Sequence, residues 1–300
     1  MEYCLIFFFF SMLIFPETVV TGASNGLLLW FNNVLPTLLP FMIISNLILN
    51  TKAINLLVQW FSPLFCRLFQ ISKYAVFAVI CGFFCGYPMG SKVTCDLLST
   101  NQISITEAKY LLSFCNNTSP MFLISFVVIQ HLNLKSLVLP SILIFYLSPI
   151  LCSFLFRKFY HIKPDIHAQN KFVHTSSNTD LFDSCLMNAF ETITRVGGYI
   201  MIFSIFVQLC KCFPFSNSLT TIIFSSFLEI SNGIKILSNI FASLNMRYLL
   251  CMALASFGGW CSIAQTKSII EPYGISIVPY ITEKLVTAFV TSLLTLIIQL

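Results

Sequence analysis

Residues 74–96 read YAVFAVICGFFCGYPMGSKVTCD, an apolar run that ends in two glycines, a proline and a lysine. Such a run is typical of a membrane helix, but Pro88 removes a backbone donor and interrupts the helical hydrogen-bond ladder. The sequence therefore predicts a break or turn there. Gly82, Gly86 and Gly90 recur every four residues, on one face of a helix. Two interpretations stay open: the glycines only let helices approach while Lys92 extends to the interface, or the break forms a substrate or ion site.

The composition of the chain indicates that it lies in a lipid bilayer. Hydrophobic residues make up 57% of the 300 residues, charged residues 9%, and the mean hydropathy is +0.87. Only helices or a closed barrel satisfy every backbone group in hydrocarbon, and these apolar segments run to about 20 residues without period-two alternation. We therefore predict an all-α polytopic membrane protein with about eight to ten embedded helices. The twelve cysteines contain no CxxC pair and are interpreted as packing residues.

A change of composition at residues 157–183 divides the chain. We predict a first membrane helix and its connection at 1–25, a first repeat at 26–156, a polar linker at 157–183 and a second repeat at 184–300. The linker carries a positive cluster of Arg157, Lys158, Lys163 and Lys171, which favours a cytoplasmic location. The net charge of +5 is explained by this topology. The sequence contains no stripe of basic residues interleaved with aromatic residues, which is the pattern that would indicate a nucleic-acid surface.

The two repeats are weakly similar in sequence. GYPMGSKVT at 86–94 aligns with GWCSIAQTK at 259–267, and NQISITEAKYLLS at 101–113 aligns with YGISIVPYITEKL at 273–285. Duplicated membrane folds commonly bind their substrate between the repeats, where broken or re-entrant helices expose backbone groups near the midplane. GYPMGSK is not a P-loop, because it lacks the Gly-x4-Gly-Lys spacing and a preceding strand.

A second polar interruption lies in LLSFCNNTSPMFLISF at 111–126. Asn116, Asn117, Thr118, Ser119 and Pro120 fall at what should be the middle of a membrane helix, where polar groups need partners or water. Asn-Asn before Thr-Ser-Pro is strongly turn-forming, so we predict that the helix unwinds and presents the amides inward. The alternative is that these side chains only link neighbouring helices by hydrogen bonds.

The second half also contains polar residues within apolar sequence. Glu229 is an acid in a membrane segment, which by default suggests a function, and Ser262 and Gln265 follow in SFGGWCSIAQTK. Glu229 either pairs with Lys92 or Arg67, or faces a cavity and carries a coupling proton. The candidate substrate-binding residues are Gly86, Tyr87, Pro88, Gly90, Lys92, Asn116, Asn117, Thr118, Ser119, Pro120, Glu229, Ser262 and Gln265.

These motifs resemble those of the YlbJ-like sporulation integral membrane proteins, whose duplicated element is the nucleoside-recognition or Gate domain. The similar segments are GYPMGSK at 86–92, ISITEA at 103–108, LLSFCNNTSP at 111–120 and GLLLWFNNVLPTLLPFMIIS at 26–45. The resemblance implies a multi-pass protein of endospore-forming bacteria, in the mother-cell or outer forespore membrane, needed for spore cortex formation. This chain has Ser-Ile before Ala264-Gln265, where relatives carry a histidine before the Ala-Gln pair.

Three functions fit the sequence. The first is a secondary transporter or exporter of a small polar solute, with alternating access around the two repeats. The second is a membrane scaffold or gating partner of a sporulation complex, acting alone or as a homo-oligomer. An intramembrane enzyme is the third, but the chain has no HExxH motif, catalytic triad or carboxylate pair, so we expect no catalytic role. We also expect no metal or other cofactor, since His161, His167 and His174 lack an accompanying ligand set.

Overall fold

The computed structural model describes residues 2–162, 178–212, 219–240 and 243–299, and the regular structure in these ranges is helical. The α-helices are α1 (Glu2–Ile14), α2 (Pro16–Leu29), α3 (Leu35–Leu49), α4 (Ala53–Phe69), α5 (Ala75–Phe84), α6 (Met89–Ser99), α7 (Ile105–Cys115), α8 (Val138–Tyr160), α9 (Asn178–Cys210), α10 (Leu219–Leu228), α11 (Ile230–Ile240), α12 (Leu244–Phe257), α13 (Gly259–Ile270) and α14 (Ile277–Gln299). Two π-helical segments cover Trp30–Val34 and Phe122–His131, and 3-10 turns cover Lys135–Leu137 and Glu271–Tyr273. Lys163, His167, Lys171 and His174 of the predicted linker lie outside the described residues.

Five helical stretches in the described ranges are long and apolar enough to cross a bilayer. They are Pro16–Leu49, Lys135–Tyr160, Leu181–Cys210, Leu244–Tyr273 and Ile277–Ile298. One face of α8 carries an exposed leucine at every fourth position: Leu139, Leu143, Leu147, Leu151 and Leu155. A continuous apolar ridge of this kind is typical of a helix face in contact with lipid. The prediction of an all-α polytopic membrane protein is confirmed.

The first long helix runs antiparallel to α9. Asn46 donates a hydrogen bond to the Cys185 carbonyl, at 3.1 Å, near the start of α9. Thr18 Oγ1 lies 3.3 Å from Cys212 Sγ, just past the end of α9. We call the end of the bundle where α8 ends and α9 begins the linker end. The helix Pro16–Leu49 therefore runs from the opposite end to the linker end.

The predicted boundary at residue 25 falls inside α2 and is corrected. Gly22 and Gly26 lie on either side of that boundary, in one helix that packs directly on α9. A Cβ on either glycine would lie 2.8 Å from an α9 backbone atom, the Cα of Ile205 or of Met201. The small residues are therefore a helix-packing seam, and the first chain reversal comes at Phe15.

The chain around Pro88 folds into a helical hairpin. α5 and α6 pack against each other, and a Cβ on Gly82 would lie 3.2 Å from the Cα of Gly90. Eight residues of continuous helix would separate those positions by about 12 Å, so the chain doubles back at residues 85–88. The glycines thus face one another across the hairpin and do not share one helical face. α6 lies beside the first half of α9, so this hairpin enters from the linker end.

A second hairpin enters from the opposite end. α10 and α11 follow the end of α9 and pack against each other, and a Cβ on Gly233 would lie 2.0 Å from the Ser226 carbonyl oxygen. α12 and α13, by contrast, form one kinked span through Gly258. The alignment of 86–94 with 259–267 therefore pairs a hairpin tip with a kink, and it does not hold. The same order of elements occurs twice, from α5 to α8 and from α10 to α14: first a hairpin, then a broken span, then a long helix.

The close approach at Gly82 predicts that Gly82→Ala destabilises the protein. Its Cβ would lie 1.8 Å from the Cys115 carbonyl oxygen, at the end of α7, so the hairpin must shift. We expect a loss of about 3 kcal/mol, measured as a lower thermal unfolding temperature in detergent. Gly198→Ala is the matched control, since no heavy atom lies within 4 Å of its Cβ position. Equal stability of the two variants would contradict the hairpin packing.

Candidate functional site

Four interruptions of helix meet in the centre of the molecule. They are the α5–α6 tip, the unwound segment 116–119, the α10–α11 tip at Glu229 and the kink at Gly258. Each contacts the next: a Cβ on Gly86 would lie 2.9 Å from Ser119 N, one on Gly258 would lie 2.7 Å from the Tyr87 ring, and one on Gly259 would lie 3.3 Å from Ile230 N. Breaks that are far apart in sequence thus form one continuous surface.

This surface borders a cavity with an empty volume of about 740 Å³, which we call the central cavity. Of the residues predicted as substrate-binding, the ones that line it are Gly86, Tyr87, Thr118, Ser119, Glu229, Ser262 and Gln265. The remaining wall is largely apolar and comes from Leu29, Val34, Leu38, Phe122, Phe126, Val196 and Ile200. The breaks supply most of the polar part of the wall, the first long helix adds the polar side chains of Asn33 and Thr37, and the rest of the wall is mainly apolar.

A second cavity lies between α6, α9 and α13 toward the linker end, and we call it the vestibule. Its empty volume is about 760 Å³, and its lining includes Lys92, Asp96, Asn188, Glu191, Arg195 and Tyr273. Pro88 lines the vestibule and not the central cavity. Val196 and Gln265 line both, so the two cavities are separated by the side chains of these two residues. Gly90, Asn116, Asn117 and Pro120 line neither cavity.

The Asn-Asn pair is buried, and the side chain of Asn116 forms its hydrogen bonds with other helices. The Asn116 amide donates to Thr266 Oγ1 at 3.0 Å and to the Tyr280 hydroxyl at 2.9 Å, and its Oδ1 accepts from Ser91 N at 3.3 Å. Thr118 Oγ1 donates to the Ala255 carbonyl at 2.7 Å. These contacts join the unwound segment to α6, α12, α13 and α14, as in the hydrogen-bonding alternative that the sequence leaves open.

Glu229 does not pair with Lys92. Its carboxylate accepts from the backbone amides of Ser231, at 3.0 Å, and Asn232, at 2.8 Å, and from the Asn232 side chain at 2.9 Å. It thereby caps the first turn of α11. Lys92 instead forms an ion pair with Asp96 at 2.8 Å, one turn along α6. The possible pairing of Lys92 with Glu229 is therefore wrong, because both groups are satisfied locally.

The sequence analysis missed Lys284, a fully buried cation. Its side chain in α14 is 1% exposed. Nζ donates to the Asn116 carbonyl and to Asn117 Oδ1, both at 3.0 Å, and lies 5.2 Å from the centroid of the Tyr87 ring. Among the described residues no carboxylate oxygen lies within 4 Å of it. The sequence does contain a signal for this residue: a lysine seven residues into an apolar helix. A charge embedded in a membrane segment by default suggests a function.

The same ranges hold no cluster of three or more His, Cys, Asp or Glu side chains that could bind a metal ion. The site therefore presents hydroxyls, amides, one carboxylate and an aromatic ring to the central cavity, with an ammonium group behind the ring. This set can bind a solute through hydrogen bonds and apolar contact.

Comparison with known proteins agrees with this architecture. No protein-family model matches the chain, and no solved structure matches it significantly. The chain is 24% identical over 306 residues to the sporulation integral membrane protein YlbJ of Bacillus subtilis (strain 168), which covers 90% of this chain and 75% of that protein. The chain is thus similar to a sporulation integral membrane protein, and its long apolar helices are those of an integral membrane protein.

The Asn116 network predicts a large stability effect. Asn116→Leu keeps the side-chain size but removes the hydrogen bonds to Thr266, Tyr280 and Ser91 N, which are all buried. We expect a loss of about 3 kcal/mol, since buried polar groups without partners cost about 1–3 kcal/mol each. Thermal unfolding in detergent measures it. Asn239→Leu is the control, because Asn239 is exposed and bonds only within its own helix. An unchanged Asn116→Leu protein would show that the network does not hold the break.

Proposed function

We propose that the chain is a secondary transporter that moves a small polar solute by alternating access. The observation that carries the proposal is the meeting of two hairpins, entering from opposite ends, at one partly polar cavity near the middle of the long spans. Such paired re-entrant elements form the two gates of transporters built from inverted repeats. The cavity combines a largely apolar wall with a few polar groups, as small-molecule sites do.

The placement of the breaks supports this function on energetic grounds. Each backbone group left without a partner in hydrocarbon costs several kcal/mol. Irregular backbone at membrane depth is therefore tolerated where protein buries it or where it lines a cavity. Here four interruptions fall at the same place, and three of them contribute hydroxyl or carboxylate groups to the central cavity. A bundle that only scaffolded a partner would need none of them.

The charge distribution supports an orientation with the linker end in the cytoplasm. The described chain places Arg67, Lys73, Lys109, Arg157 and Lys158 at or near that end. Short loops rich in Lys and Arg remain on the cytoplasmic side. The vestibule then opens to the cytoplasm, and Gln265 stands between it and the central cavity. The solute crosses without covalent change, so the proposal assigns no catalytic role.

The relative's name and the motif resemblance support a role in spore formation. We place the protein in the mother-cell or outer forespore membrane, where it moves a solute needed while the spore cortex is made.

Replacing Gln265 tests the transport function. Gln265→Leu keeps the volume of the side chain but removes the amide that borders both cavities. In the described part of the chain this amide forms one protein contact, a hydrogen bond from Nε2 to Cys261 Sγ at 3.3 Å. Loss of one hydrogen bond to a solute lowers transport about tenfold at low solute concentration. The gene is deleted in its native sporulating host and complemented at equal membrane abundance. The yield of heat-resistant spores and the small-molecule content of mother cell and forespore are then compared.

Gln208→Leu serves as the control, since this residue of α9 borders neither cavity. We expect it to complement fully, while Gln265→Leu fails and one solute accumulates in the mother cell, as in the deletion strain. If Gln265→Leu restores spores and leaves every solute unchanged, the central cavity is not a transport site and the scaffold function is favoured.

A further inference from the structure

Lys284 connects the three parts of the site that must move relative to one another in alternating access. Its backbone belongs to α14, its Nζ bonds the unwound segment at Asn116 and Asn117, and its charge faces the Tyr87 ring at the α5–α6 tip. The same ring packs on Gly258 and borders the central cavity. A change in this one side chain therefore acts on the hairpin tip, the broken span and the cavity wall together.

The groups in direct contact with the ammonium are a backbone carbonyl and an amide oxygen, and the Tyr87 ring faces it. The ionisable groups that act on it are Cys115 from α7, Cys152 from α8, Glu283 and Tyr280 on α14, and Tyr87 from the hairpin tip. α12 and α13 bring only the hydroxyls of Ser256 and Thr266 into this network. Glu283, the nearest acid in sequence, accepts a hydrogen bond from the Tyr160 hydroxyl instead.

We propose that Lys284 is the coupling group of the transporter, and that loss of its proton releases the α5–α6 tip and the unwound segment from α14. The inference rests on the transport function proposed above. Nζ–H3⁺ gives its proton to a water molecule that enters from the central cavity past the Tyr87 ring, forming a neutral amine and a hydronium ion, with no other covalent bond made or broken. The amine loses the charge-assisted character of both hydrogen bonds and the cation–π attraction to Tyr87.

The structure gives this release a clear consequence. The α5–α6 tip has no side-chain cap of its own, since Pro88 precedes α6 without a capping hydrogen bond. Its position depends on neighbours: Ser91 N on Asn116, the Tyr87 hydroxyl on the Ser256 carbonyl at 3.4 Å, and the Lys284 charge on the Tyr87 ring. Removing the charge weakens the hold on the tip that forms one wall of the central cavity.

Cys85 and Cys261 line the central cavity and provide the measurement, without a known solute. The probe is a charged, water-soluble methanethiosulfonate reagent, applied to the full chain in nanodiscs between about pH 6 and pH 9. Peptide mass spectrometry follows each thiol, and the rate is divided by that of the same thiol in unfolded protein, which removes the pH dependence of an ordinary thiol. The effect of each thiol's own surroundings is shared by wild type and variants, so the comparison among them isolates Lys284. We expect the corrected rate in wild type to rise about tenfold with pH, as the tip opens for a larger fraction of the time.

Three variants separate coupling from structure. Lys284→Met should label quickly at every pH, and Lys284→Arg, which stays charged, should label slowly at every pH. Lys267→Met is the control, because Lys267 is exposed and bonds only Glu271 at 3.9 Å, and it should follow wild type. A wild-type pH dependence in Lys284→Arg, or a pH-independent rate in wild type, would overturn the proposal even if Lys284→Met fails to fold.

The outcome is distinct from that of the transport test. If Gln265→Leu abolishes solute movement in the host while Lys284→Arg behaves as wild type in both assays, the transporter stands and Lys284 is not its coupling group. If Lys284 controls thiol access but no variant alters any solute, the conformational change stands and the transport function fails.

Discussion

A backbone amide or carbonyl without a partner costs several kcal/mol in hydrocarbon, and the whole structure is arranged around that constraint. Four interruptions of helix lie at membrane depth, and they are stable because each is placed against another. Asn116 bonds Ser91, Thr266 and Tyr280, Thr118 bonds the carbonyl of Ala255, and Glu229 caps its own hairpin. Since the partners of Asn116 and Thr118 come from α6, α12, α13 and α14, the unwound segment is held only when both halves of the chain are in place.

The buried charge of Lys284 follows the same logic. Burial of an ammonium group away from water is unfavourable. A carbonyl, an amide oxygen and the face of an aromatic ring offset part of that unfavourable free energy. Two of those three groups, the Asn116 carbonyl and the Tyr87 ring, lie where a helix is broken. The unwound segment and the embedded lysine therefore explain each other: the break frees the Asn116 carbonyl, and the lysine supplies its donor.

Local sequence signals predicted where the helices break but not how the chain continues. Gly86, Pro88 and the NNTSP segment act on their own backbone, so the sequence located those interruptions correctly. Whether a break becomes a hairpin or a kink depends on distant contacts, such as Gly82 against the Cys115 carbonyl, which no local pattern shows. Lys284 was missed because Glu283 beside it makes the pair look like the charged end of a helix. The Lys92–Asp96 pair, in contrast, was readable from its four-residue spacing.

The two hairpins are held in place differently, and this difference bears on which of them moves. The tip of α10–α11 is closed by its own residues, because Glu229 accepts three hydrogen bonds from Ser231 and Asn232. It can shift as a unit without losing its internal structure. The tip of α5–α6 has no such cap and depends on α7, α12 and α14 for its position. It also borders the vestibule at Pro88 and the central cavity at Tyr87. The position of the hairpin at the linker end therefore depends on the rest of the site, whereas the tip of the opposite hairpin is closed by its own residues.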